Sequence, residues 1–334
     1  MNYTTKQKTN KQFNVLSLFD GLSAARISLD MANIHVDNYY SSEICKNAIQ
    51  LQNFHYSADT TFHQIGDVKN INGADYAHIT CLIGGFPCTN LTSINGKDKS
   101  GITGTSESSL FYEFTRIIRE IRQAKPKDEK LYLLIENVNS MSNKMKKLIT
   151  EEISLAMEED IQPVMINASR CCGSTRRRLF WSNLPITQPQ EKNITYQSCV
   201  KNGYVDKEKS NVILGSQLTN CGGLFRYKKY NLGNLIYKKE EYTTMDNKEL
   251  FATYSVVLRK SKHTGQSGSI TDEYEYANNF YRIPSISELS KLLSIPEKYV
   301  SSVPNVSKTA KYKMLGLTFA PCVISHILMQ LNNF

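Results

Sequence analysis

The sequence predicts an α/β fold in which a mixed, mostly parallel sheet carries helices on both faces. Two observations support this prediction. Short apolar segments typical of buried strands alternate with segments whose apolar residues recur at helical spacing, and each predicted strand ends in a polar or glycine-containing turn. With 334 residues, the chain is long enough to bury a large core and to form a second, smaller lobe.

The chain opens with a strand, a tight turn and a helix, an order that begins many nucleotide-binding units. The predicted elements are a strand over residues 13–19, an Asp20-Gly21 turn, a helix over residues 24–33 and a strand over residues 38–42. The second strand ends at Glu43, about twenty residues beyond the turn, where dinucleotide-binding folds hold a carboxylate for ribose hydroxyls.

Two further strands lead to polar groups. Residues 63–66 precede Asp67, and residues 79–83 precede the turn Gly84-Gly-Phe-Pro-Cys88. The carboxyl ends of strands in an open α/β sheet line one ligand crevice, so we expect the side chains at these turns to converge on one site. They are Asp20, Glu43, Asp67 and Cys88.

Cys88 follows Pro87 at the end of an apolar strand, and two interpretations of it are open. A cysteine there can serve as a nucleophile, provided that its thiolate is stabilised and partly exposed. A lone cysteine beside a strand is more often a small buried residue. The remainder of the chain favours the nucleophile, because it supplies acidic and guanidinium groups at later strand ends.

Those later groups follow a helix predicted over residues 109–123. A strand over residues 130–135 ends in Glu136-Asn137, and this carboxyl beside a cysteine can act as a general acid towards a ring nitrogen, although a solvated loop carboxylate has the same pattern. Arg176 and Arg178 alternate just before a further strand, so both point to one side. Guanidinium forks suit carbonyl and phosphate oxygens; the alternative is a solvated basic strand end.

Composition narrows the class of protein without identifying it. The formal charge of +9 and the pI near 9.0 favour a polyanionic partner but also fit an ordinary protein with excess lysine. The 8 cysteines include no Cys-x-x-Cys pair, so we expect no zinc site and reduced thiols. No apolar run approaches the roughly 18 residues needed to span a membrane, and the polar amino terminus does not resemble a signal peptide.

The chain divides into four segments where its composition changes. Residues 188–279 lose the regular alternation and are rich in Gly, Tyr and Lys, which predicts a separate lobe. Helical spacing returns over residues 287–293 and 310–331. The predicted segments are a flexible tail over 1–12, a first domain over 13–187, the lobe over 188–279, and a segment over 280–334 that packs back on the first domain.

With these motifs in order, the chain resembles the DNA cytosine-5 methyltransferases, especially the branch that holds the mammalian de novo enzymes and many short phage or bacterial ones. The matching blocks are Phe19-Asp-Gly21, Glu43, Gly66-Asp67, Gly85-Phe-Pro-Cys88, Glu136-Asn-Val138, Arg176-x-Arg178, Arg282 with Ser287-Glu288, and Met314-Leu-Gly316. Three positions depart from the family pattern, namely Ser174, Thr318 and Ser23-Ala24. None removes a reacting group, so we expect altered contacts, with the position of Leu317 affecting cofactor affinity most.

The resemblance implies a Rossmann-like fold and a methyltransferase activity. The enzyme would transfer a methyl group from S-adenosylmethionine to carbon 5 of a cytosine that is flipped out of a short sequence of double-stranded DNA. The product of the cofactor would be S-adenosylhomocysteine. It implies that Cys88 adds to carbon 6 and that Glu136 protonates ring nitrogen 3 or hydrogen-bonds to it. Arg178 would bind the carbonyl of the base. Arg176 would support the adduct or the cysteine loop, and Asn137 would orient that loop.

The resemblance also implies binding residues. Those for the cofactor are Phe19, Asp20, Gly21, Leu22, Glu43, Ile44, Asp67, Val68, Pro87, Thr318 and Phe319. Those for DNA are Ser93, Lys97 and Lys99 in a loop over residues 93–108 that closes after flipping, and Arg226, Lys228 and Lys229 in the lobe, where basic and aromatic residues interleave. No metal is implied.

Two other functions stay open. One branch of the same family methylates cytosine in tRNA; the sizeable lobe and the lack of a Cys-Phe-Thr signature disfavour it. A catalytically silent DNA-binding homologue is disfavoured by the intact Cys88, Glu136 and Arg178. The implied location is a bacterial or phage-infected cytoplasm. A cognate restriction endonuclease and the oligomeric state are left open.

Overall fold

The computed structural model describes residues 12–87, 110–215, 223–262 and 280–333, and its main feature is a seven-stranded sheet. The strands are β1 (Asn14–Leu18), β2 (Asn38–Ser42), β3 (Phe62–Gln64), β4 (Cys81–Gly84), β5 (Tyr132–Val138), β6 (Val164–Asn167) and β7 (Arg177–Ser182). Their order is β3-β2-β1-β4-β5-β7-β6, with β1 to β5 parallel and β7 antiparallel to both of its neighbours. The predicted mixed, mostly parallel sheet is confirmed.

Helices cover both faces of this sheet. The helices are α1 (Ala24–Met31), α2 (Lys46–Tyr56), α3 (Phe111–Ala124), α4 (Asn143–Met157), α5 (Tyr196–Cys199), α6 (Leu224–Tyr230), α7 (Asn247–Lys262), α8 (Ile286–Leu292), α9 (Lys308–Leu317) and α10 (Pro321–Leu328). The apolar sides of α3 and α4 bury one face of the sheet, and those of α1, α8 and α10 bury the other. The carboxyl ends of the parallel strands remain open at one edge.

The strands that carry the predicted acid and arginines are longer than the sequence indicated. We expected β5 to end before Glu136 and the arginines to precede β7. Instead, Glu136 and Asn137 lie within β5 and pair with Phe180 and Leu179 of β7. Because antiparallel β7 pairs with β5 beyond the apolar run that ends at Ile135, the ladder continues through Glu136 and Asn137 to Val138.

The helical spacing predicted over residues 310–331 belongs to two helices and not to one. Helix α9 ends at Leu317, and Thr318 adopts an extended conformation with φ −80° and ψ 166°. Helix α10 begins at Pro321, a residue that suits the first turn of a helix but cannot continue one. The break puts Thr318 and Phe319 on a short connection between two helices.

The stretch that contains these two helices bears on the expectation about membrane spans. By length and composition alone, residues 308–331 are apolar enough to cross a membrane. Within the protein, 67% of the apolar 18-residue window is buried, as in the core helix of a globular domain.

A third apolar cluster lies within residues 224–283. It includes buried side chains from α6, from α7 and from the short pair β8 (Ile236–Tyr237) and β9 (Tyr281–Arg282), which run antiparallel. These residues pack with one another, apart from the two clusters that flank the large sheet. The cluster reaches Tyr281 of β9 and Ile283, and Ile283 also packs against the apolar cluster on one face of the large sheet.

The cysteines differ from the expectation of reduced thiols throughout. Cys171 and Cys322 are paired in a disulfide, with their Cα atoms 6.0 Å apart and a sequence separation of 151. The free cysteines among the described residues are Cys45, Cys81, Cys172 and Cys199. Sequence spacing gave no sign of the pair, because the fold alone brings the loop after β6 against the start of α10.

Candidate active site

A cavity of about 560 Å³ opens at the carboxyl edge of the sheet, between the ends of β1, β2, β4 and β5 and the connection from α9 to α10. Most of the predicted site residues line it. These are Phe19, Asp20, Gly21, Leu22, Glu43, Pro87, Glu136, Asn137, Arg176, Arg178, Thr318 and Phe319. A second cavity of about 670 Å³ lies around His78, Thr80 and Lys125 and contains none of them.

Some predicted residues do not line the site. Ile44, Asp67 and Val68 do not reach the cavity; Ile44 is 65% exposed, and the Asp67 carboxylate accepts a hydrogen bond from the backbone N–H of Lys69. Cys88, Ser93, Lys97 and Lys99 lie outside the described residues, since the description of this strand end stops at Pro87.

The structure adds lining residues that sequence reasoning missed. Cys45 and Ala48 flank the start of α2, just after Glu43, and Lys313 precedes the Met314-Leu-Gly316 block on α9. Each is a neighbour of a recognised motif. Proximity in sequence to Glu43 and Met314 was the one signal that could have found them.

The turn after β1, residues 19–23, has an unusual backbone. Phe19, Gly21 and Ser23 have φ angles of 55°, 58° and 61°, in the left-handed region. Residues other than glycine rarely adopt this backbone conformation, because it is strained for them. Backbone strain of this kind is concentrated at functional sites. A Cβ atom built on Gly21 would meet nothing within 4 Å, so the backbone of this turn faces open space.

The Asp20 carboxylate holds this turn from inside. It is 3% exposed and accepts five hydrogen bonds. The donors, at 2.6–3.2 Å, are the hydroxyls of Ser17, Ser23, Tyr39 and Ser41 and the side-chain amide of Gln52. Burial raises the pKa of Asp20, and the hydrogen bonds from the hydroxyls oppose that shift. We predicted that Asp20 contacts the cofactor, but its side chain points into the protein and accepts hydrogen bonds from protein groups.

Glu43 joins the turn to the start of α2. Its Oε2 accepts from the backbone N–H of Gly21 at 2.7 Å, and its Oε1 accepts from the N–H groups of Ile44 and Cys45 at 2.8 and 2.7 Å. The carboxylate is partly exposed and lines the cavity. Since a carboxylate offers about four acceptor positions, one remains for a donor in the cavity.

Glu136 and Arg178 form an ion pair on neighbouring strands at the other wall. Arg178 Nε lies 2.9 Å from Glu136 Oε1, and the two side chains are 14% and 11% exposed. The contact lacks hydrogen-bond geometry, so Oε1 is buried without a hydrogen-bond donor from the described residues. A buried acceptor in that condition is costly unless a ligand supplies the donor.

Arg176 lines the same cavity, as the alternation predicted, while Arg177 between the two arginines is exposed. The Arg176 side chain is 3% exposed and reaches the carbonyl of Gly316 at 3.5 Å. Gly316 has no room for a side chain, because a Cβ there would lie 2.1 Å from the backbone nitrogen of Gly215. Helix α9 is therefore in direct backbone contact with residues 214–215.

Asn137 fixes the strand end that leads to Cys88. It is 1% exposed, and its side-chain amide donates to the carbonyl of Phe86 at 3.0 Å. Gly85 packs against the same strand, since a Cβ there would lie 3.0 Å from both the Glu136 carbonyl and the Phe319 ring. Residues 85–86 are thus held against β5 two positions before Cys88.

The lobe residues predicted to contact DNA fall into two groups. Arg226 and Lys229 are exposed on α6, where Lys229 Nζ lies 5.1 and 5.4 Å from the ring centres of Phe225 and Tyr230. Lys228 instead forms an ion pair with buried Asp206 at 2.7 Å. That side chain is bound within the lobe, which corrects its predicted exposure to DNA.

The described residues include no group of three or more His, Cys, Asp or Glu side chains that could hold a metal ion.

Solved structures with a similar fold are methyltransferases by name. A mutant of Spodoptera frugiperda DNMT2 matches with a TM-score of 0.65 and 14% identity over 96% of this chain and 100% of that one. Dnmt2 of S. pombe also gives 0.65 and 14%, over 97% and 99%. Entamoeba histolytica EhMeth gives 0.61 and 13% over 97% and 99%. At these identities the likeness concerns the fold alone.

Similar curated sequences are named as DNA or type II methyltransferases. DNA (cytosine-5)-methyltransferase DRM2 of rice is 30% identical over 118 residues, which are 33% of this chain and 20% of that protein. Type II methyltransferase M1.ScrFI of Lactococcus lactis subsp. cremoris is 33% identical over 153 residues, 46% of this chain and 35% of that protein. The chain thus matches between a fifth and about a third of the length of these relatives.

The family model covers far more of the chain than any of these sequence matches. The model of the C-5 cytosine-specific DNA methylases matches residues 13–333, from the start of β1 to the end of the described structure. The chain therefore belongs to the C-5 cytosine-specific DNA methylase family.

Proposed function

We propose that this protein transfers a methyl group from S-adenosylmethionine to carbon 5 of a cytosine flipped out of double-stranded DNA. The observation that carries the proposal is the buried pair of Glu136 and Arg178, beside a strand end that Asn137 holds two residues before Cys88. Glu136 and Arg178 place an acid and a guanidinium at one crevice, and the thiol of Cys88 follows in sequence directly after Pro87, which lines the same crevice. An unsaturated ring carbon that must be made nucleophilic requires such a set.

Enzymes of this family use S-adenosylmethionine, and the first turn fits it. Glu43 keeps acceptor capacity for a ribose hydroxyl after its three backbone hydrogen bonds. Gly21 leaves its backbone open to a ligand. Phe19 and Phe319 supply apolar rings to the same cavity. When bound, S-adenosylmethionine supplies an electrophilic methyl group on a sulfonium sulfur.

Glu136 and Arg178 suit the polar edge of cytosine. The carboxyl group of Glu136, when protonated, donates to ring nitrogen 3, and the N–H groups of Arg178 donate to the neighbouring carbonyl oxygen. Their positions on paired strands fix the spacing of the two groups before the base arrives. The amino group on carbon 4 of the base would then supply the donor that the buried Oε1 of Glu136 lacks.

Cys88 would perform the covalent step. Its thiolate forms a bond to carbon 6, and the electron pair of the C5–C6 double bond moves into an enamine that Glu136 stabilises at nitrogen 3. Carbon 5 would then accept the methyl group that S-adenosylmethionine, held beside Phe19, Gly21 and Glu43, would supply, with a neutral thioether as the leaving group. A base removes the proton from carbon 5, and the electron pair of that bond expels the Cys88 thiolate.

The cavity also indicates how the base must be presented. Glu136 and Arg178 lie in a recess at the edge of the sheet, which a base stacked within a duplex cannot reach. The exposed face of α6, with Phe225, Arg226, Lys229 and Tyr230, offers basic and aromatic groups suited to a nucleic-acid backbone and its grooves. This lobe and the curated names favour DNA over tRNA, the rival substrate.

The first test compares the two substrates directly. Purified protein is incubated with S-adenosylmethionine labelled in its methyl group and with either unmethylated plasmid or total tRNA. We expect label in the plasmid, and bisulfite sequencing of DNA from a methylation-free host should find 5-methylcytosine at one short motif. Label in tRNA alone would overturn the choice of DNA.

The second test addresses Cys88. Duplex DNA with 5-fluorocytosine in the motif should trap a covalent complex, because fluorine cannot leave carbon 5 as the proton does. Cys88→Ser should abolish the complex, whereas Cys199→Ser, at a buried free cysteine outside the cavity, should keep it. A complex that survives Cys88→Ser would exclude the proposed nucleophile.

A cytoplasmic location and a cognate restriction endonuclease also belong to this proposal. The proposal of a cognate restriction endonuclease follows from the name of the type II relative M1.ScrFI. A nuclease that cuts the bisulfite motif, and is blocked by its methylation, would support it.

A further inference from the structure

Tyr299, far from the site in sequence, touches the turn that lines the cofactor side of the cavity. Its hydroxyl donates to the carbonyl of Leu22 at 2.9 Å, across 277 residues of sequence. Leu22 is 1% exposed, so its carbonyl lies where few alternative donors reach it. The Tyr299 hydroxyl also shares a hydrogen bond of 3.1 Å with the hydroxyl of Tyr56.

The Tyr299 side chain is itself held in place. Its ring stacks on His55 of α2 with 3.9 Å between ring centres and 7° between planes. Its backbone carbonyl lies 2.7 Å from Nε2 of His55, and since a carbonyl can only accept, that nitrogen donates. Tyr299 is 9% exposed. A rigid ring therefore presents the hydroxyl to Leu22 in one position.

Leu22 lies between two residues in the left-handed region, Gly21 and Ser23. The other polar groups nearby are bonded as well: the Gly21 N–H donates to Glu43, and the Gly21 carbonyl accepts from Gln52 at 2.8 Å. Both of those partners come from the first domain. Tyr299, in the carboxyl-terminal segment, supplies the remaining hydrogen bond to this turn. Loss of its hydroxyl would leave the buried carbonyl of Leu22 without that donor.

We propose that Tyr299 is a positioning residue for S-adenosylmethionine, which acts by fixing the conformation of residues 21–23. It touches the turn from behind and does not line the cavity. The carboxyl-terminal segment is thereby part of the cofactor-binding machinery. This inference rests on the proposed use of S-adenosylmethionine at this cavity.

The test compares two variants that each remove one hydroxyl from the same cluster. Tyr299→Phe removes the donor to Leu22, whereas Tyr56→Phe leaves that bond in place. Titration calorimetry with S-adenosylmethionine, without DNA, should give a dissociation constant about fivefold higher for Tyr299→Phe and changed less than twofold for Tyr56→Phe. Saturating cofactor should restore the kcat of Tyr299→Phe, so the defect appears in KM.

A second readout needs no ligand. Hydrogen exchange at the amides of residues 21–23 should be faster in Tyr299→Phe than in Tyr56→Phe, while the core strands of both exchange as in the wild type. Equal exchange and equal affinity in the two variants would overturn the positioning role. If the wild type binds no S-adenosylmethionine, the proposed function fails, and the exchange comparison still decides whether Tyr299 orders the turn.

Discussion

Two buried carboxylates, one at each end of the chain, have opposite surroundings. Asp20 in the turn after β1 and Glu288 in α8 are 3% and 2% exposed. Asp20 accepts from hydroxyls and a side-chain amide, none of which carries charge. Glu288 accepts from both terminal nitrogens of Arg282 at 2.7 Å and from the backbone N–H groups of Ser285 and Lys201.

Their pKa values move in opposite directions as a result. Burial raises the pKa of both carboxyls. At Asp20 the neutral donors do not offset that effect, and its pKa stays raised. At Glu288 the Arg282 guanidinium and the backbone donors outweigh burial and lower the pKa to about 2.

The difference in their partners distinguishes the roles of the two carboxylates. Asp20 shapes a turn at the cavity, whereas Glu288 joins separate parts of the fold. Glu288 and Arg282 link the start of α8, β9 and residues 201–202 through charge-assisted bonds. Asp20 holds a left-handed turn at the cavity, where its ionised form is destabilised by burial. Strain and destabilised groups are tolerated at functional sites when the surrounding structure compensates.

The largest expected effect comes from breaking the charged pair. Arg282→Met removes the guanidinium and leaves Glu288 buried without its counter-ion, which should lower the free energy of unfolding by about 3–5 kcal/mol. Urea denaturation at pH 7 measures the loss. Adding Glu288→Gln to Arg282→Met removes the unpaired charge and should recover part of it; a double variant no more stable than the single one would refute this explanation.

The sequence predicted the parts of this molecule that depend on local pattern. Alternating apolar segments located the strands, and the turn after each parallel strand located most of the cavity wall, because the carboxyl ends of such strands meet at one edge. Glu43 and Glu136 were found in this way, whereas Arg178 was found from the alternation of arginines at the start of β7.

What the sequence did not indicate depends on contacts between distant residues. The inward orientation of Asp20 requires donors on β1, β2 and α2, and the ion pair of Lys228 requires Asp206 from a separate segment. The hydroxyl of Tyr299 reaches Leu22 only after the carboxyl-terminal segment packs on α2. A pattern of spacing holds no information about such pairings, which the tertiary fold alone creates.

A smaller loss of stability is expected when Glu288 is protonated at low pH. Because the folded-state pKa of Glu288 lies below its usual 4.5, its contribution is fully present above pH 4.5 and is lost as pH falls towards 2. The shift corresponds to about 3 kcal/mol. The stability difference between wild type and Glu288→Gln, measured in urea from pH 7 down to pH 3, should therefore shrink. A constant difference would contradict the assigned shift.

The smallest change in stability is expected at Asp20, together with a clear change in binding. Asp20→Asn removes a charge that burial disfavours, so the lost hydrogen bonds are partly offset and unfolding at pH 7 should change by no more than about 1 kcal/mol. Because the folded-state pKa of Asp20 is raised, its favourable contribution is greatest below pH 3.8 and is lost as pH rises through the folded-state pKa. The variant should thus gain stability relative to the wild type over that rise.

The affinity for S-adenosylmethionine should reveal a role of Asp20 that the free energy of unfolding does not. An amide cannot accept from four hydroxyls at once, so the turn in Asp20→Asn should lose its single conformation, and the dissociation constant for S-adenosylmethionine should rise about fivefold. Calorimetry beside urea denaturation separates the two effects. If Asp20→Asn lost as much stability as Arg282→Met, with unchanged affinity, Asp20 would belong with Glu288 as a structural anchor, and the contrast between the two carboxylates would be wrong.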